Sequence, residues 1–306
     1  MVFENRNRLA LAYDRFPGGI FNPSLAQHSD KVWGIARCEA HNQAERNDDK
    51  SLNFTPTRSV LFQLDPNLVV SGADYDVRFV NFPQRPWRAE DYRLFVFQNQ
   101  LFCTHTLWVE GYNIGMALSR VDVKKHTVTL VHPITIDGLA MNPVEKNWVM
   151  VPGQNALHCL YSFYPQYILA ELTDLQTACC RLSLQANLQP AATDLEDKMI
   201  SISTVPQPIN NGLYLLVHQK NDHHIYRDHL VKLNPATLLP EAISQQPVIE
   251  GGNCEGYWRG YLTVYSLLIQ EDRAVISFGE GDRYAGVAEA PIEALLDAEM
   301  LELCEM

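Results

Sequence analysis

The residues best able to do chemistry stand together at Glu90-Asp91-Tyr92-Arg93. Two carboxylates and a guanidinium directly precede the apolar run Leu94-Phe95-Val96-Phe97. The chain turns at Gln98-Asn99-Gln100 and returns as Leu101-Phe102-Cys103-Thr104, which is the pattern of a β-hairpin. Burying an unpaired charge costs several kcal/mol in rough terms, so charges against a buried strand have partners or a purpose. Asp91 and Arg93 are either a structural ion pair leading a strand or, for Asp91, an acid at the mouth of a site. Similar charged-then-hairpin blocks recur along the chain, which favours the second reading. Further carboxylates stand at Glu145, Glu255 and Asp282, each with an alternative as a solvated strand-edge or turn residue.

The elements that must position these residues are strands. Short apolar runs separated by Gly, Asn, Pro or polar turns fill the chain, and helical periodicity is confined to Ala290–Leu301. The runs fall into blocks. One holds Gly19–Leu25 and Val32–Arg37; the next runs from Glu90 to Pro133. Later blocks begin at Pro143, at Ile209 and at Glu255. Blocks two to four repeat a charged lead, an apolar strand, a polar turn and an aromatic-rich strand at a spacing of roughly 55–65 residues. Five such blocks predict an all-β, five-bladed β-propeller spanning residues 1–306 as a single domain, with a short C-terminal helix. A β-sandwich is the competing architecture. Glu39 to Thr55, rich in Asn, Asp and Lys, reads as a mobile excursion.

The chain of 306 residues is 46% hydrophobic and 20% charged, with a net charge of −12. It has no block of consecutive Lys or Arg, which argues against nucleic acid and anionic membranes as partners. No leader-like apolar segment opens the sequence, and no apolar run approaches the roughly 20 residues of a membrane span. The seven cysteines lack CxxC spacing, and Cys38, Cys103 and Cys159 lie in strand-like runs, as reduced core thiols do. A cytoplasmic location is expected. Asp222-His223-His224 has metal-ligand residue types, but adjacent histidines on a strand point opposite ways, so no metal is predicted. No phosphate-cradling Gly-rich loop, GxSxG or HExxH occurs, and no cofactor is implied.

Several motifs resemble glycoside hydrolase family 130, the β-mannoside phosphorylases and β-1,2-mannosidases. They are Phe21-Asn22-Pro23-Ser24, Glu90-Asp91-Tyr92-Arg93, Lys146-Asn147, Val217-His218-Gln219-Lys220 with Tyr226-Arg227, and Ser277–Asp282. They occur in the family's order and cover most of the chain. The resemblance implies a five-bladed propeller acting on β-mannosides with inversion, with an oligosaccharide substrate and inorganic phosphate as a second one. It makes Asp91 the proton donor. It assigns Asn22, Arg37, Glu90, Arg93, Lys146, Asn147 and Asp282 to the sugar, and His218, Tyr226 and Arg227 to phosphate or another acceptor. Two departures stand out. Tyr92 replaces the family's Pro, and Pro143-Val144-Glu145 lacks the phosphate-holding Arg expected just before Lys146.

Inverting transfer needs an acid for the leaving oxygen and an acceptor on the opposite face. In hydrolases a second carboxylate, roughly 6.5–9.5 Å from the acid, activates water. Glu145, in place of the missing Arg, and Glu255 are the candidate bases in that case, with a solvated edge position the stronger reading for Glu255. Glu145–Trp148 and Tyr261–Leu267 also resemble the related β-1,2-mannosyltransferases, which leaves transfer from GDP-mannose or mannose-1-phosphate as an alternative. A non-catalytic glycan-binding propeller is a third reading. Trp33, Tyr92, Trp148, Tyr161 and Trp258 are candidates for stacking on a sugar ring.

Overall fold

The computed structural model describes residues 1–40, 57–153, 156–190, 200–221, 225–252 and 254–305. The asparagine- and aspartate-rich excursion and Asp222-His223-His224 therefore lie largely or wholly outside the described residues. The rest is almost entirely β. Neighbouring strands pair mostly antiparallel because short turns join them. At Gln98-Asn99 both turn residues have positive φ, 47° and 57°, which matches the twist of a two-residue hairpin.

Among the described residues the strands form four sheets in a propeller arrangement. One contains Gly19–His28, Lys31–Glu39, Arg58–Leu64 and Tyr75–Asp76. A second contains Trp87–Phe97, Gln100–Val109, Tyr112–Asp122 and Thr127–Pro133, edged by Arg78–Val80. A third holds 12 strands, and the last joins Leu262–Gln270, Arg273–Glu280 and Tyr284–Pro291 to Arg6–Arg8. The expectation of five separate blades is thus corrected to four sheets. Met300–Glu305 is the reason: it pairs with Cys179–Pro190 on one side and Pro240–Ser244 on the other, fusing two sequence blocks. The C-terminal helix is also shorter than its periodicity predicts. Only Ile292–Leu296 is helical, after Pro291, and the alternating Met300–Glu305 is strand instead.

Apolar side chains pack between neighbouring sheets rather than within one. Ala26 and Leu61 of the first sheet meet Tyr92 and Cys103 of the second. Ile20 and Phe62 of the first meet Val275 and Val287 of the last. These wedges bring the leading strands together. Gly19–His28 lies against Trp87–Phe97 and Leu262–Gln270, and Trp87–Phe97 also touches Val149–Pro152. The charged leads identified in the sequence therefore converge where leading strands meet.

Candidate functional site

Four residues of the sequence motifs share one backbone device. Asn22, Asp91, Asn147 and Asp282 all have positive φ, at 54°, 57°, 66° and 53°. Non-glycine residues rarely adopt this conformation, and its cost is met most often at functional positions. At Asn22 and Asp91 the cause is visible in the strand register, which shifts between Phe21 and Ser24 and between Glu90 and Arg93. Each bulge turns one polar side chain out of the alternation that would bury it. Gly279 completes the seat of Asn22. A Cβ there would lie 2.0 Å from Asn22 Oδ1, so only glycine leaves room.

The bulges bring Asn22 and Asp91 together across 69 residues of sequence. Asn22 Nδ2 donates to Asp91 Oδ1 at 2.9 Å, and the Tyr265 hydroxyl donates to the same oxygen at 3.2 Å. Thr263 Oγ1 in turn donates to the Tyr265 hydroxyl. Asp91 Oδ2 carries no hydrogen bond among the described residues. The structural ion pair that competed for Asp91 does not form as a side-chain contact. Arg93 is 2% exposed and spends its guanidinium on carbonyls: Nε donates to the Ser203 oxygen, and Nη1 to the Asp91 and Tyr92 oxygens at 3.0 and 3.2 Å. It also lies 4.3 Å over the Tyr265 ring. Arg93 thus braces the bulge that presents Asp91, and burial pulls its pKa down.

Beside this acid lies a charged cluster. Arg37 pairs with Glu39 at 2.7 Å and with Glu90 at 3.3 Å. Arg88 pairs with Glu90 at 2.6 Å and also binds Glu39. Burial works to lower the Arg37 pKa, but Glu90, Glu39, Asp91 and Asp282 outweigh it and hold the guanidinium firmly charged. Burial pushes the Glu90 carboxyl up, against the pull of Arg37. Asp282 is raised to about 6, mainly by burial, with Arg37 opposing and the charges of Asp91 and Glu90 adding to it. Lys146 is exposed and acts on both Glu90 and His218, so it faces the same space. With Asn147 it borders a cleft of about 510 Å³ that Trp148, Tyr161 and Ile202 also line.

A second group adjoins it through the Arg93 Nε bond to the Ser203 carbonyl. Ser203 Oγ lies 2.9 Å from His218 Nδ1 and also donates to Asp228 Oδ1. His218 packs against the Tyr226 ring at 5.6 Å. Lys220 Nζ sits 5.6 Å over the Tyr226 ring and 5.2 Å over Tyr261, and donates to the Tyr261 hydroxyl at 3.4 Å. Burial, with Arg93 and Lys146 nearby, lowers His218 to about 3, so the ring is neutral across the ordinary pH range. Burial raises Asp228 to about 7 against the Ser203 hydrogen bond and Arg93.

Two predicted site residues are not brought to this cluster. Arg227 Nε donates to Glu250 at 3.2 Å on the other face of its strand. Tyr226–Leu233 alternates, so Tyr226 and Asp228 share one face and Arg227 takes the opposite one. Glu145 is close in sequence to Lys146, but one oxygen of its carboxylate is tied into a loop. Oε1 accepts from the Asn142 backbone N–H, from Asn142 Nδ2 at 3.1 Å and from the Tyr161 hydroxyl at 2.7 Å. It holds a loop together. Tyr92 and Trp148, considered for stacking, are core residues at 0% and 1% exposure, and the Tyr92 hydroxyl bonds Ser59. Trp258 is exposed, with its ring 6.1 Å from that of Tyr261.

Sequence reasoning missed Glu39, Arg88, Ser203, Asp228 and Tyr265. Period-2 alternation from Tyr226 points to Asp228, and the motif at Tyr261–Leu267 contains Tyr265. For Ser203, which follows the short strand Ile200–Ile202, no signal was available. Among the described residues no cluster of His, Cys, Asp and Glu could hold a metal ion.

No family model matches the chain, and no curated protein matches its sequence. Solved structures do match. A β-1,2-mannobiose phosphorylase from Listeria innocua, solved with β-1,2-mannobiose, superposes with a TM-score of 0.67 at 13% identity, over 97% of this chain and 93% of that one. A structure reported with the family 130 hydrolases that target β-1,2-mannosidic linkages in Candida mannan has a TM-score of 0.68 at 13% identity, over 90% and 85%. A mannose phosphorylase from Leishmania mexicana, solved with a phosphate ion, has a TM-score of 0.60 at 10% identity, over 97% and 91%. The likeness is one of fold, and by it the chain has the β-propeller arrangement of the glycoside hydrolase family 130 structures.

Proposed function

We propose that this chain is a carbohydrate-active enzyme that cleaves β-mannosides with inversion, using Asp91 as proton donor and inorganic phosphate as acceptor. The seating of Asp91 carries the proposal. One carboxyl oxygen is held by Asn22 and Tyr265 while the other is bare, on a left-handed bulge where leading strands meet. An acid must reach the glycosidic oxygen at a fixed angle, and a braced backbone with one free oxygen does that. Asn22, Arg37, Glu90 and Asp282 surround it with the mixed donors and acceptors that sugar hydroxyls need. Arg93 supports from behind.

Phosphate is preferred over water because of Glu145. Hydrolysis with inversion needs a second carboxylate to take a proton from water, and Glu145 is anchored through Oε1 to Asn142 and Tyr161, in a loop beside the cleft rather than among the groups that hold Asp91. Lys146 and His218 border the acceptor side, and Lys220 stands over the Tyr226 and Tyr261 rings as a further cation. The fold shared with a mannoside phosphorylase solved with phosphate agrees with this reading.

Product analysis with manno-oligosaccharides, with and without phosphate and alongside GDP-mannose, tests it. Mannose-1-phosphate should form only with phosphate, and Asp91→Asn should slow it by about 10³-fold, a general acid's usual share, with the circular dichroism unchanged. Free mannose formed without phosphate would make it a hydrolase, and chain extension from GDP-mannose a transferase. No turnover by folded protein would leave a glycan-binding propeller.

A further inference from the structure

Asp228 is the most deeply enclosed carboxyl near the site. It is 0% exposed, Oδ1 meets Ser203 Oγ, and Oδ2 is buried with no hydrogen-bond partner. Ser203 in turn meets His218 Nδ1 at 2.9 Å, while His218 Nε2 makes no hydrogen bond among the described residues and is not sealed from the site. A single hydroxyl proton thus lies between an acid and an imidazole. It can serve only one of them as donor at a time.

We propose that Asp228 is a positioning residue which, through the Ser203 hydroxyl, sets which ring nitrogen of His218 carries the proton and so what His218 offers the acceptor. When Asp228 is ionised, Ser203 donates to it and accepts from His218 Nδ1–H. Nε2 is then a bare acceptor. When Asp228 holds a proton, its hydroxyl donates to Ser203, Ser203 donates to Nδ1, and the ring proton sits on Nε2. On ionisation the Asp228 proton passes to Ser203 Oγ, the Ser203 proton to His218 Nδ1 and the Nε2 proton to solvent, so the chain loses one proton, its hydrogen bonds reverse and the ring is neutral in both states. The two forms suit different acceptors. Nε2–H donates to an anion, whereas bare Nε2 accepts from water. That consequence rests on the functional reading above, but the relay does not.

The groups facing this chain are few. Arg93 approaches Asp228 from Trp87–Phe97, His218 comes from Gly212–Lys220, and Tyr226 lies on Asp228's own strand; Lys146 and Asp91 act on His218, and Tyr265 and Asp91 on Arg93. The unpartnered Oδ2 and complete burial favour the neutral carboxyl, and Arg93 favours the charged one. Their balance places the titration near pH 7, far above that of His218 itself.

The test is the tautomer of His218, read by long-range ¹⁵N–¹H correlation on protein labelled at histidine, with His218→Gln identifying the signal. Wild type should pass from Nε2–H at pH 5.5 to Nδ1–H at pH 8.5. Ser203→Ala and Asp228→Asn should each abolish that pH-driven change, and Ser203→Ala decides if Asp228→Asn fails to fold. A wild-type ring in one tautomer throughout, or the same pH-driven change in Ser203→Ala, overturns the relay. Added inorganic phosphate should move the wild-type midpoint upward, because it binds the Nε2–H form. If the relay switches but phosphate leaves its midpoint where it was, the acceptor reading falls and the relay stands.

Discussion

The two walls of the site solve the problem of buried charge differently. On the Asp91 side, Arg37 and Arg88 share Glu39 and Glu90, so two guanidiniums and two carboxyls pair in a small volume. On the His218 side, the buried groups sit near neutrality: an imidazole lowered to about 3, a carboxyl raised to about 7, a serine and a tyrosine. The first wall is rigid because breaking any pair strands a charge. The second can change its protonation at small cost. A sugar with many hydroxyls needs fixed donors and acceptors, whereas an incoming acceptor that must be admitted and then consumed suits the adjustable wall.

Removing Asp91's proton should have the largest effect, the roughly 10³-fold loss of turnover already described for Asp91→Asn. The next largest should be structural and confined to the charged wall. Arg37→Met leaves Glu39 and Glu90 facing each other with only Arg88 between them. The expected destabilisation is about 3–5 kcal/mol, the usual cost of orphaning a buried charge, read by urea unfolding. A loss below about 1 kcal/mol would mean that solvent reaches the cluster and that this wall is not rigid.

The walls also differed in how far the sequence revealed them. Glu90, Asp91 and Arg93 were legible because they are contiguous and lead an apolar hairpin. Arg37 was legible as a charge inside a strand, but its partner Glu39 was read as the start of a polar excursion. The local pattern turns polar there while the strand continues for one more pair. The Ser203–Asp228–His218 chain was illegible because it joins three separate strand regions, and only tertiary packing makes them neighbours. Glu145 shows the opposite case: its position in the motif was legible, but its Oε1 contacts with Asn142 and Tyr161, which the motif does not contain, were not. The blade count failed at Met300–Glu305, where alternation was present but was absorbed into a helical window.

On the adjustable wall, Lys146→Ala should raise the KM for phosphate about 10–100-fold with a smaller change in kcat, as expected for losing a charge-assisted contact made in both ground and transition states. An equal fall in kcat and kcat/KM would place Lys146 at the reacting centre and blur the distinction between the walls.

A pH series of thermal unfolding separates the walls more gently. Burial raises Asp282 to about 6 and Asp228 to about 7, against an ordinary value near 3.8. Between those limits the native state holds protons that the unfolded chain has released. The stability they contribute is complete below about pH 4 and is lost as pH rises through 6 and then 7. Asp282→Asn should reduce the slope between about pH 4 and 6, and Asp228→Asn should reduce it there and also remove the fall between about 6 and 7, with Tm measured at constant ionic strength. Curves parallel to wild type would show that neither carboxyl is raised in the native state.

Arg227 should give the smallest effect, and the most informative one for reading motifs. By resemblance it belongs to the acceptor, whereas strand alternation turns it to the opposite face, where it pairs with Glu250 while 42% exposed. A solvent-exposed pair contributes about 0–1 kcal/mol, and nothing connects it to the reacting groups. Arg227→Ala should therefore leave kcat and the KM for phosphate within about twofold and lower stability by no more than about 1 kcal/mol. Asp228→Asn, one residue on, should abolish the pH-driven change of the His218 tautomer. A large rise in phosphate KM for Arg227→Ala would mean that the strand rotates or its register slips when the site is occupied. The face assignment of Tyr226 and Asp228 would then have to be reversed with it, because a strand cannot turn one side chain inward without turning its neighbours out.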